Sequence, residues 1–71
     1  MSPEQYSELL ATVKRMAVTA DALSHTCQML SAGETDAARH AFFHRLHAAL
    51  TDCKLALHHA LDAAPVMVQQ P

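Results

Sequence analysis

Seventy-one residues hold one domain at most, with a core so thin that a staple or a partner usually completes it. A net charge of −2 with only five Lys and Arg argues against nucleic acid as a partner. No apolar run reaches bilayer length, so no membrane role is expected.

The composition is that of an all-α protein. Hydrophobic residues make up 51%, yet there is no Trp, one Tyr and two Phe; Ala and Leu, both strong helix formers, supply most of that content. Prolines fall only at Pro3, Pro65 and Pro71, and the single glycine is Gly33.

Ser2-Pro3-Glu4-Gln5 is a dense helix-start signal. Ser2 caps, Pro3 suits the first helical position, Glu4 meets the positive end of the dipole, and Gln5 completes a capping box. Tyr6, Leu9, Val13, Met16, Ala20, Leu23, Cys27 and Leu30 then recur at alternating spacings of three and four. This heptad stripe predicts a first helix over about 3–31, with Leu9 and Leu23 inside and Gly33 as a left-handed terminator.

Thr35 or Asp36 is the candidate cap of a second helix over about 36–64. Its stripe runs through Phe43, Leu46, Leu50, Cys53, Leu57, Ala60 and Ala64, and Pro65 ends it. Residues 65–71 form a tail, from which Val66 and Met67 can pack back. Two helices of similar length and a short loop predict an antiparallel hairpin over residues 1–64.

One seam does not make a satisfactory globule. Ala11, Val18, Ala22 and Met29 lie well away from the first stripe, and Phe42, Ala49, Ala56 and Ala63 form a second row beside the other. Exposed rows of this kind mark an interface. The contact is expected at Val18, Ala22, Met29, Phe42 and Ala49, with the hairpin completing a four-helix bundle as a dimer or with a partner.

Cys27 and Cys53 both sit on the expected core stripes, roughly 18 Å apart along the axis. A disulfide tolerates about 7 Å between Cα atoms, so two buried thiols are expected and no intrachain bond.

The stretch HAFFHRLH places His40, His44 and His47 on one side of the second helix, at spacings able to share one metal ion. No acidic residue stands between them, as the general base of HEXXH would, so a solvated flank beside the apolar face is the favoured reading. No phosphate loop or strained nucleophile points to an enzyme, and no cofactor is expected.

Pro3-Glu4-Gln5-Tyr6, followed by Leu9, Ala17, Ala20 and Leu23, resembles the second helix of small hairpin co-chaperones of type III secretion needle subunits, over about a third of the chain. The family places that helix second, whereas here it comes first. The resemblance implies a cytoplasmic hairpin that docks on a larger protein, in keeping with the absence of a signal-peptide pattern in MSPEQYSELL. The expected function is a non-enzymatic adaptor, co-chaperone or regulator that binds another protein or itself. The alternative is a metal-binding bundle built on His40, His44 and His47.

Overall fold

The helix-start chemistry at Ser2 is realised in full. Ser2 Oγ accepts from the Gln5 N–H at 3.1 Å, and Gln5 Oε1 accepts from the Ser2 N–H at 2.9 Å. From this capping box α1 runs Pro3–Gly33. A second cap, Asp36, accepts from the Arg39 N–H at 3.0 Å and opens α2, Ala37–Asp62. These elements come from a computed structural model that describes residues 1–66; the expected packing of Met67 lies outside that range. Among the described residues there is no strand, and the two helices pack against each other.

The turn differs from expectation. Gly33 is the last residue of α1, and among the described residues none, glycine included, has a positive φ. The cap is Glu34, at φ −89° and ψ 127°. Its carboxylate accepts from the Asp36 N–H at 2.9 Å and meets Arg39 Nε at 3.2 Å. A side chain therefore satisfies the donors of the reversal, and the left-handed residue expected at Gly33 is not needed. Asp36 N–H as donor, followed by the Arg39 guanidinium, holds the Glu34 carboxyl below its ordinary range.

Side-chain contacts between the two arms mark the antiparallel register at three levels. Tyr6 Oη donates to the Pro65 carbonyl at the open end; Ser24 meets His47 in the middle; Ser31 meets His40 beside the loop. The last two pairs are one heptad apart on each helix, running in opposite directions.

The seam itself is rotated from the expected one. The positions of α1 that lose water are Tyr6, Leu10, Val13, Ala17, Ala20, Ser24, Cys27 and Ser31, again at spacings of four and three. Every second member of the expected stripe is displaced by one residue. Leu9, Met16, Leu23 and Leu30 remain 46–53% exposed, which corrects the placement of Leu9 and Leu23 inside. On α2 the half-buried line includes Phe43, His47, Leu50, Lys54, Leu57 and Leu61, continued by Ala64 just past the helix, with Leu46 and Thr51 beside it. Cys53 and Ala60 lie out in water.

The buried residues of α1 are Ala17, Ala20, Ser24, Cys27 and Ser31, all small, and α2 has none. Small seam residues let two helices approach closely. The consequence is a hairpin in which no large side chain is fully buried.

Candidate functional site

The two long edges of the hairpin are chemically opposite. One carries the histidines. Ser24 is 4% exposed, and its Oγ lies 2.9 Å from His47 Nδ1 and 2.7 Å from Thr51 Oγ1. His47 Nδ1 is also 2.9 Å from the Ser24 carbonyl oxygen. A carbonyl can only accept, so Nδ1 carries the hydrogen. The Ser24 hydroxyl then donates to Thr51, whose own hydroxyl donates to the His47 carbonyl at 2.8 Å. The ring of donors closes on itself, and no buried side-chain polar atom among the described residues lacks a partner.

His40 repeats the clasp one heptad on, with Nδ1 donating to the Ser31 carbonyl at 2.9 Å and its Oγ at 3.3 Å. Beyond His47, Lys54 Nζ donates to Asp21 Oδ1 at 2.9 Å. That hydrogen bond, then the ammonium charge, holds the Asp21 carboxyl below its ordinary value of 3.8. The expectation that His40 and His47 form a merely solvated flank is thereby corrected: both tie α2 to α1. Only His44 of the three makes no hydrogen bond across the seam; with Gln28, Ser31, Ala32 and His47 it lines an open hollow of about 240 Å³. Among the described residues no three His, Cys, Asp or Glu side chains converge as a metal-ligand set.

The opposite edge is apolar. Met16, Leu23 and Leu50 line a shallow groove of about 350 Å³ together with Thr12, Thr19, Ala20 and Arg15. Leu9 and Leu30 extend the row along α1 to both ends of the hairpin. Between them stand Thr12, Thr19 and Thr26, each donating its hydroxyl to the carbonyl four residues back, at 2.9, 2.9 and 3.0 Å. Those hydroxyls are already satisfied, so the threonines can be covered without orphaning a donor.

Leu9, Thr12, Met16, Thr19, Leu23, Thr26 and Leu30 therefore form a second complete heptad seam on α1. It lies about 100° around the helix from the seam that meets α2. On α2 the same displacement selects Phe42, Leu46, Ala49, Cys53, Ala56, Ala60 and Ala63, again at spacings of four and three and without a charge. The residues expected at a contact divide accordingly. Phe42 and Ala49 belong to this face, Phe42 at 58% exposure, whereas Val18, Ala22 and Met29 stand on the far side of α1, also in water.

The threonine row went unnoticed in the sequence because threonine reads as a surface residue. Its signal was nonetheless present: three threonines at intervals of seven beside a leucine row. Among the described residues no helix is long and apolar enough to cross a membrane. Comparison with protein-family models, curated proteins and solved structures finds no match.

Proposed function

We infer that the chain is a non-enzymatic protein-interaction module, an adaptor, co-chaperone or regulator whose apolar face completes a helical bundle. The observation that carries this is the row Leu9, Met16, Leu23 and Leu30, half in water on a hairpin without one large buried side chain. Burying such a side chain fully is worth about 1.5–3 kcal/mol, so covering the exposed halves of these four offers about 4 kcal/mol. The two faces differ in consequence: the histidine edge is spent on holding the hairpin together, and the leucine edge is free. The resemblance of the first helix to hairpin co-chaperones points the same way.

Sedimentation at micromolar concentration, alone and with native-cell extract, tests the inference. Leu23→Glu should abolish the assembly, whereas Val18→Glu, on the far side of α1, should leave it intact. Loss of assembly on Val18→Glu with none on Leu23→Glu would move the interface to the Val18, Ala22 and Met29 side. A cooperatively folded monomer with concentration-independent melting would remove the proposal.

A further inference from the structure

We propose that the apolar face is covered by a second copy of this chain, related by a two-fold axis parallel to the helices, so that α1 of each copy lies on α2 of the other. This rests on the interaction-module proposal and names its partner.

Two seams about 100° apart on each helix match a square bundle, in which every helix touches two neighbours at right angles. Two copies supply four helices with eight such seams, which pair into four contacts and leave none over. The area reaches the lower end of the range for a stable interface. The 26 residues of α2 span about 39 Å, and a hairpin 16 Å wide then presents a flat projection of about 600 Å² before corrugation, against about 800 Å² per partner in a standard interface.

Two symmetric arrangements are open, and side-chain size chooses between them. The free seam of α1 is large, with Leu9, Met16, Leu23 and Leu30; the free seam of α2 is small over Ala49, Ala56 and Ala63 and large only near the loop, at Phe42 and Leu46. A two-fold parallel to the helices preserves axial level, so Leu9, Met16 and Leu23 of one copy face Ala63, Ala56 and Ala49 of the other, while Leu30 meets Phe42 beside the loop. That is the interdigitation a dense core needs. A two-fold perpendicular to the helices sets the leucine and methionine row of α1 on itself along one side and Ala49 on Ala56 in the middle of the other. Two rigid hairpins cannot meet both spacings at once.

Charge agrees. Outside these seams stand Arg15 and Glu8 on α1 and Arg45, Asp52 and His59 on α2, Arg45 having no carboxylate of α1 at its level. In the parallel arrangement Arg15 comes within about four residues, or 6 Å along the axis, of Asp52 in the other copy, and Glu8 within the same reach of His59. In the perpendicular arrangement, with the hairpins fully overlapped, Asp52 faces Asp52. Like charges directly opposed disfavour it.

Cys53 supplies the test, because it is a free, exposed thiol on the α2 seam, level with Thr19 of the other copy. Thr19→Cys, oxidised mildly at micromolar concentration, should give a covalent dimer containing a 19–53 peptide between chains. The wild-type chain should form no Cys53–Cys53 bond, since the two α2 helices lie diagonally across the bundle. Should Thr19→Cys fail to fold, the pair Thr12→Cys and Ala60→Cys in a Cys53→Ser background must cross-link in the same way. A wild-type Cys53–Cys53 dimer would overturn this arrangement while leaving an interaction module. A poorly folded chain rescued only by a different protein would overturn self-association alone. A stable folded monomer would overturn both proposals.

Discussion

Replacing His47 by Ala probes the point where the two helices are joined most closely. The imidazole donates from Nδ1 to the Ser24 carbonyl and lies 2.9 Å from the Ser24 hydroxyl, which is almost fully buried. Each such hydrogen bond contributes about 0.5–1.5 kcal/mol net. Deleting the ring removes both and opens one side of the Ser24 hydroxyl, which keeps Thr51 at 2.7 Å and the backbone carbonyl of residue 47 at 3.4 Å. The expected loss is about 1–2.5 kcal/mol, or a fall in Tm of roughly 5–15 °C for a chain of this size. Thermal unfolding followed by circular dichroism, at one fixed protein concentration, reads it directly. His44→Ala is the internal control, since that ring makes no bond across the seam, and it should cost under about 0.5 kcal/mol. Ser24→Ala should fall between the two, because the His47 ring still reaches the residue's carbonyl. Equal effects of His47→Ala and His44→Ala would refute the clasp and restore the histidines to a solvated flank.

Gly33→Ala should stabilise the protein by about 0.4–1 kcal/mol in urea unfolding, because the position is helical and an added Cβ meets nothing within 4 Å. Destabilisation there would show that the turn needs a left-handed residue after all. The Asp21 carboxyl is held below 3.8 by Lys54, so its stabilising contribution is present above that pH and lost as pH falls through the depressed value. Asp21→Asn should therefore flatten the acid limb of a stability–pH curve below about pH 4, and an unchanged limb would refute the pairing. Zinc titrated by calorimetry should bind weakly and without raising Tm. Tight stoichiometric binding lost in a His40, His44 and His47 triple Gln variant would make metal the function. Cys53 should react with a thiol reagent quickly at dilutions that uncover its face and more slowly in the assembled dimer, and the buried Cys27 slowly in both, with no bond between them, since they lie about nine residues, or 14 Å, apart along the axis.

The helices, their N-terminal caps and their pairing were legible in the chain itself. Ser2 with Gln5, Asp36 ahead of Ala37, and an interior free of proline are local signals, and local hydrogen bonding answers them wherever the chain goes. The direction of the seam was not legible. Two stripes with the same spacing run along α1, one of leucines and methionine, the other carrying Ser24 and Ser31. Hydrophobicity alone prefers the first. The structure puts the second against α2, because Ser24 and Ser31 are small enough for close approach and their hydroxyls find His47 and His40 on the opposite helix. A polar residue is costly in a seam only while it is alone, and its partner lies more than twenty residues away in the case of Ser24. That pairing is decided in three dimensions. It turns the leucines outward, and so it also decides which face of the hairpin is left to bind.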